Sequence, residues 1–352
     1  MSILGFHHIT MVCSNAQRTV DFYSKLLGIK LVKKTVNFDA VNTYHVYFGD
    51  EVGKPGSLLT FFEWPDAPKG RWGIGTTHHL ALLVESENAQ LKWKRRLMDN
   101  GVNVTGPYDR RYFHSIYFTD PDGMILEIAT RKPGWTVDEP AEQLGTNVIM
   151  PPDELTHRGR DDKAIAAKTW TEPVPHVTPD MALQRMHHIS AMSSDIFRTT
   201  DFYTEVLGFK VVKRTMNYDD TAWPHLYYAV EDFSPGTVMT YFGYSPTTMR
   251  YGSLGIGLTH HVAFAVKDSE AQREWRERLL SKNVQVTEIM DRKYFTSIYF
   301  NDPDGHILEI ATLGPGMLVD EETAELGKNL RLPNWLEQHR DRIEKGLTPI
   351  IS

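Results

Sequence analysis

The chain repeats itself, and a repeat restricts the available folds more tightly than composition does. HHITMV at His7 returns as HHISAM at His187, and DFYSKLLGIKLVKKTVNFD from Asp21 returns as DFYTEVLGFKVVKRTMNYD from Asp201. GIGTTHHLALLV from Gly73 returns as GIGLTHHVAFAV from Gly255. DRRYFHSIYFTDPDGMILEIAT from Asp109 returns as DRKYFTSIYFNDPDGHILEIAT from Asp291. Leu144-Gly145-Thr146-Asn147, just past the first repeat, is echoed by Leu326-Gly327-Lys328-Asn329. Each half divides again. Every quarter opens with a histidine pair entering an apolar run: His7-His8, His78-His79, His187-His188 and His260-His261. Every quarter closes with a glycine leading into an apolar strand, at Gly56, Gly123, Gly236 and Gly305.

The first quarter shows the local logic. Ile9 to Val12 reads as a strand, and Ser14 is placed to cap the next helix with Gln17 completing a capping box. Val20, Tyr23 and Leu27 form a helical stripe, and Gly28 suits the left-handed turn that ends it. Lys30–Val36, Tyr44–Phe48 and Ser57–Phe62 are rich in β-branched and aromatic residues and read as strands. The other quarters follow the same order, with helices expected near Glu87–Asn100, Ile196–Leu207 and Glu270–Asn283. The expectation is an α+β chain of four tandem βαβββ modules with curved mixed sheets. Modules 1 and 2 are placed in one domain over 5–132 and modules 3 and 4 in another over 184–314. A connector over 133–183, partly extended and partly helical, and a tail over 315–352 complete the chain.

With 352 residues, 41% apolar and 24% charged, the chain is globular in composition and needs no disulfide staple. Cys13 is the only cysteine, which points to a reducing compartment, so the cytoplasm is expected. MSILGFHHIT has no basic stretch followed by an apolar one, and no run approaches the length of a membrane span. A net charge of -7 without a lysine/arginine block argues against nucleic acid as a partner.

Chemistry shows in the closing strands. Counting the glycine as the first, the fifth position is Thr60, Glu127, Thr240 and Glu309, so only alternate modules carry a carboxylate. Glu127 lies between Leu126 and Ile128, and Glu309 between Leu308 and Ile310. Burying such a carboxylate is costly unless it is paired or metal-bound. Adjacent strand residues point to opposite faces, so one histidine of each pair is expected to face the cavity. A lone strand histidine is more often a hydrogen-bonded core residue, and a lone buried glutamate can pair with an arginine, here Arg110 or Arg292. The recurrence of the pairs, with glutamate confined to alternate modules, favours a metal held by two histidines and one glutamate. Such a set suits iron(II) or manganese(II) with positions open to oxygen ligands. Arg292 and Tyr299 precede Glu309 as Arg110 and Tyr117 precede Glu127, either as groups near the ion or as ordinary buried pairs. The DPDG motifs at Asp120–Gly123 and Asp302–Gly305 read as turns, not ligands. GRWGIG at Gly70 and MRYGSLGIG at Met249 suit either an entrance or plain loops.

These modules resemble the vicinal oxygen chelate superfamily, which includes glyoxalase I, fosfomycin-resistance proteins, bleomycin-binding proteins and extradiol dioxygenases. Within it, the FHHIT opening, VKKTVNFD, TYHVYFGDEVGKPGSLLTFF and RKYFTSIYF are similar to hydroquinone-type ring-cleaving dioxygenases. The resemblance implies two glyoxalase-like domains, iron(II) or in some cases manganese(II), dioxygen, and a small aromatic diol as substrate. By motif match it implies His8, His261 and Glu309 as ligands, Arg292, Tyr299, His7 and His260 as catalytic groups, and Thr10 as a substrate contact. This chain departs from the pattern by carrying a second complete set: His79, His188 and Glu127, with Arg110 and Tyr117. If modules pair within each half, the sets instead become His8, His79, Glu127 and His188, His261, Glu309. Two metal sites are expected, with catalysis favoured at Glu309. A non-oxidative isomerase or thiol transferase of the same superfamily is the alternative, and a quinone- or drug-binding protein a more distant one. A homo-oligomer is compatible with this reading, although a duplicated domain can serve as its own dimer.

Overall fold

In the computed structural model, residues 2–230 and 233–351 are described. Module 1 runs β1 (Phe6–Cys13), α1 (Ala16–Val20), β2 (Lys30–Asn37), β3 (Ala40–Gly49) and β4 (Leu58–Glu63). Module 2 runs β5 (Thr77–Val84), α2 (Glu87–Asp99), β6 (Thr105–Asp109), β7 (Phe113–Thr119) and β8 (Ile125–Pro133). The connector holds β9 (Val148–Ile149) and α3 (Asp162–Ala167). Module 3 comprises β10 (Met186–Ser193), α4 (Ile196–Asp201), β11 (Lys210–Met216), β12 (Pro224–Ala229) and β13 (Val238–Gly243). Module 4 comprises β14 (Thr259–Val266), α5 (Ser269–Ser281), β15 (Met290–Asp291), β16 (Thr296–Asn301) and β17 (Ile307–Thr312). Short helices α6 (Asn334–Glu337) and α7 (Arg340–Gly346) end the tail.

The predicted elements form, with one local exception. Asn15, not Ser14, caps α1: its side chain accepts from the Arg18 N–H at 2.8 Å. Ser14 is engaged elsewhere, its N–H and hydroxyl both donating to the Asp122 carboxylate at 2.9 and 2.8 Å. Its Oγ in turn accepts from the Arg18 guanidinium at 2.7 Å, which occupies the acceptor a cap would need. Gln17 bonds Asp21 and Ile351, so no capping box forms. Past Val20 the helix widens into a π-helical segment, Asp21–Leu26, that still buries Tyr23 and ends at Gly28 with φ +70°. Module 3 repeats this at Phe202–Val206.

The sheets join modules across the halves. One sheet of eight strands has the order β15-β16-β17-β14-β1-β4-β3-β2, uniting modules 4 and 1. The other has nine, β6-β7-β8-β5-β10-β13-β12-β11-β9, uniting modules 2 and 3 and ending on the connector. The division into 5–132 and 184–314 follows the repeat and not the sheets, which take the cross-half one of the two pairings that the sequence left open. The physical reason lies in the opening strands. β1 pairs antiparallel with β14, and β10 with β5, and this seam closes each sheet around one concave face. Helices pack outside, where Trp93 and Trp275 are buried in an apolar core continuous with both sheets.

The two sheets are pinned to each other where sequence predicted only turns. Each DPDG segment is a turn, with the Gly123 and Gly305 N–H bonded to Asp120 and Asp302 carbonyls at 3.1 Å. Both glycines hold φ near +90°, a conformation costly for other residues. The second aspartates reach the other sheet within their own half: Asp122 takes Ser14, and Asp304 takes the Ser194 N–H at 2.8 Å. The two glycine-rich loops bridge each other, with Arg71 opposite Ser253 and Ile74 opposite Tyr251. They tie one half to the other; Trp72 is half-exposed there, its ring 5.7 Å from that of His78.

Connector and tail act alike. Buried Lys33 of β2 bonds Asp320 at 2.6 Å, and buried Lys213 of β11 bonds Asp138 and Glu139 at 2.7 and 2.6 Å. A buried ammonium needs such partners. Each arm thus straps the outer strands of the module 1 or module 3 end of a sheet.

Candidate metal centres

Cross-half pairing brings together one histidine–glutamate set per sheet. In one, His8 Nε2 lies 3.1 Å from His261 Nε2, and Glu309 Oε2 lies 3.3 and 2.9 Å from the two. In the other, His79 Nε2 lies 3.3 Å from His188 Nε2, and Glu127 Oε2 lies 2.9 and 3.4 Å from the two. These are the pairings of modules 1 with 4 and 2 with 3; the alternative sets drawn within halves do not form.

His7, His260 and His187 stay off the cavity walls as expected, while His78 joins His79 there; all four still touch their neighbouring rings, and β-bulges explain why. Opposite β14, Phe6 faces Phe264 but His8 faces Ala263, leaving His7 as an extra residue; a second slip leaves His260 extra. The seam between β10 and β5 does the same at His187 and His78. A bulge breaks strict alternation and swings the inserted side chain beside its neighbour. The Nδ1 atoms of adjacent rings then meet: His7–His8 at 2.9 Å, and His78–His79, His187–His188 and His260–His261 at 2.8 Å. His7 Nε2 donates to the Thr312 carbonyl at 3.1 Å, so its Nδ1 accepts from His8. His8 Nε2 therefore presents a lone pair to the cluster. Burial pushes His7, His78, His187 and His260 down to about 3, so all four are neutral near pH 7.

Both glutamates are fully buried, and neither pairs with arginine among the described contacts. Oε1 accepts a hydrogen bond from a serine hydroxyl, Ser297 for Glu309 and Ser115 for Glu127. Oε2 of each has no hydrogen-bond partner. Burial opposes ionisation, yet the flanking imidazoles outweigh it and hold both carboxyls well below the usual range. An orphaned carboxylate oxygen facing two imidazole nitrogens fits a divalent cation, with all three donors within 4.8 Å. The arginines pair elsewhere: Arg292 with Asp39 at 3.1 Å, Arg110 with Asp219 at 2.9 Å. Each guanidinium lies over its tyrosine, Arg292 on Tyr299 at 5.4 Å and Arg110 on Tyr117 at 5.5 Å. Tyr299 and Tyr117 each edge onto a histidine of the set, His261 and His79. Burial lifts both phenols above their ordinary value, so both stay protonated.

Thr10 is a layer behind its expected place. It is buried, and its hydroxyl meets that of Thr60 at 2.7 Å. Thr60 in turn meets His45 Nε2 at 2.9 Å, and His45 Nδ1 meets the Tyr47 hydroxyl at 3.0 Å. Ser190, Thr240, His225 and Tyr227 form the same chain in the other sheet. The threonines that replace glutamate in alternate modules thus anchor the opposite wall of each cavity. His45 and His225 were overlooked in the sequence; their recurrence at equivalent repeat positions was the available signal.

The cavities differ. Beside His79, His188 and Glu127 lies a space of about 500 Å³, lined also by Tyr108, Arg110, Tyr117, Arg160, Tyr218 and Asp219. Beside His8 and His261 the space is about 30 Å³, closed by Phe38, Tyr47, Phe62, Arg292 and Phe295. Trp335 of the tail backs Phe38 with ring centroids 5.7 Å apart. Sequence reasoning favoured the Glu309 set for catalysis; the room lies at the other. Arg160 comes from the connector, and nothing in its local sequence signals a place in this cavity.

Fold and donor sets together define a class, and comparison agrees. The chain belongs to the Glyoxalase/Bleomycin resistance protein/Dioxygenase superfamily, whose family model matches residues 5–128 and 185–310. It is 33% identical over 346 residues to "Putative ring-cleaving dioxygenase MhqO" of Bacillus subtilis (strain 168), covering 98% of this chain and 96% of the relative. It is 28% identical to "Chlorohydroquinone/hydroquinone 1,2-dioxygenase" of Sphingobium indicum, covering 99% and 97%. A crystal structure of a dioxygenase from Bacillus subtilis subsp. subtilis str. 168, titled "putative", superposes with a TM-score of 0.80 at 32% identity, covering 99% and 98%.

Proposed function

We propose that this protein is a metal-dependent dioxygenase that cleaves a dihydroxylated aromatic ring of the hydroquinone or catechol type. One observation carries the reading: in each sheet, two imidazole nitrogens converge on a buried carboxylate oxygen that has no hydrogen-bond partner. Full-length similarity to ring-cleaving dioxygenases, one of them named for hydroquinone, supplies the substrate class. His8, His261 and Glu309 would hold one ion, and His79, His188 and Glu127 another. Iron(II) is the proposed metal, with manganese(II) as substitute, because a neutral pair and one carboxylate leave positions for oxygen ligands. When bound, the ion polarises a ring oxygen and links the electron-rich ring to dioxygen.

The chain supplies the surroundings. Tyr299 with Arg292, or Tyr117 with Arg110, stands beside the ligands as proton donor and cation for the developing charge on a ring oxygen. His7 and His260, like His187 and His78, fix the ligand rings through Nδ1 and are placed to pass protons. Overall one ring carbon–carbon bond breaks, both atoms of dioxygen enter the product, and the ring supplies every electron. No external reductant is needed. Extradiol cleavage is the proposed mode, the cytoplasm the proposed compartment, and assembly with a second copy a further proposal that sedimentation tests. No described helix is long and apolar enough to cross a membrane. The test is oxygen uptake by anaerobically purified, iron(II)-loaded protein given hydroquinone, chlorohydroquinone or catechol. Uptake with ring-opened product is expected. Isomerisation of a thiol adduct of an aldehyde, or thiol addition to an electrophile, without oxygen uptake would replace this reading.

A further inference from the structure

Resting on that reading, we infer that the ring binds only over the His79–His188–Glu127 set, where the Tyr218 hydroxyl holds one of its polar substituents. The Glu309 set is closed to it. The first ground is volume. About 500 Å³ lies within the usual size of a ligand site, roughly 300–1,000 Å³. About 30 Å³ falls tenfold or more below that range, too small for a ring.

The second ground is an unspent donor. Tyr218 is 3% exposed and lines the larger cavity, yet its hydroxyl has no hydrogen-bond partner. Such a group is costly unless a ligand satisfies it. Its repeat equivalent in the closed pocket is Phe38, which has no hydroxyl to satisfy. Tyr108 of the larger cavity likewise corresponds to Met290 in the other half.

The third ground is a wall only one site possesses. Arg160, delivered by the connector, lies over the Tyr108 ring at 4.3 Å and bonds Asp219, which also bonds Arg110. At the Glu309 set the matching aspartate, Asp39, meets Arg292. A second oxygen or an anionic substituent on the ring finds hydroxyl and guanidinium donors at the open site. This makes Tyr218 and Arg160 the residues that set substrate preference.

Binding of hydroquinone to the zinc(II)-loaded protein, followed by calorimetry without air, separates ring binding from turnover. Metal content is measured on the same samples. We expect two zinc ions but one ring per chain. Tyr218→Phe, which copies the closed pocket, should weaken ring binding about tenfold while both ions remain. Ile125→Trp, which fills the open cavity from its rim, should abolish ring binding with both ions in place. Two rings per chain, no ring, or binding unchanged in both variants overturns the inference. If the binding results hold but no quinol or catechol drives oxygen uptake on iron(II), the dioxygenase reading fails and the substrate site stands.

Discussion

The same fold presents the same donor set twice, once under an open cavity and once under a plug. At Glu127 the wall is Tyr108, Tyr218 and Arg160; at Glu309 it is Phe38, Phe62 and Phe295, with the tail's Trp335 behind Phe38. The donor geometry hardly changes, since imidazole–carboxylate distances run 2.9–3.4 Å in both. What duplication preserved is the candidate ion-binding core, set by strand register. What diverged is the rim, set by loops and arms. On the proposed reading, ligand set and reaction site are separable properties of this molecule.

Several experiments press on that contrast. The largest effect should come from removing metal. Chelation should lower the melting temperature, because ion binding at a hundredfold excess over Kd stabilises a site by about 2.7 kcal/mol. Two separate steps in a titration back to two ions per chain would show the sites to be inequivalent; one step would count against it. Next, Tyr117→Phe should cut kcat about a hundredfold, within the range for a positioned proton donor, with metal content unchanged. A larger loss from Tyr299→Phe would move turnover to the closed pocket. His187→Asn and His7→Asn should each weaken one ion about tenfold or more by freeing the neighbouring ligand ring, as read by competition with a chelating dye. Retained affinity would show the bulge contacts to be packing only. Arg160→Leu should raise KM for a quinol about tenfold, equivalent to about 1.4 kcal/mol, and change kcat little. Smallest, Phe38→Ala should cost about 1 kcal/mol of stability and enlarge the pocket at Glu309, seen as a second ring-binding event. Its absence would mean that Trp335 and Arg292 suffice to close the site.

Burial of Asp120 and Asp302 adds a pH signature shared by both halves. Burial pushes each carboxyl up to about 6, against backbone and tyrosine donors that pull down. A folded pKa above the unfolded value means the native state binds more protons. Stability from these groups is thus greatest below about pH 4 and declines as pH rises through 6. Asp302→Asn should flatten that slope in urea titrations between those limits.

The six ligand candidates, the modules and their elements were legible because each depends on local pattern: period-two strands, helical stripes, turn glycines, and carboxylates too costly to bury idly. Ser14 misled because Asp122, distant in sequence, claimed its hydroxyl. The histidine pairs misled in part because a bulge is a property of two strands facing each other, and neither strand announces it alone. Sequence by itself thus determined which groups exist and that they recur. Tertiary structure decided that modules 1 and 4 share a sheet, that adjacent imidazoles touch, and that Arg160 reaches Asp219 across 59 positions while Phe38 and Trp335 seal the twin site. The physical reason is that strand pairing and cavity shape come from long-range burial, a sum over contacts that no local window contains.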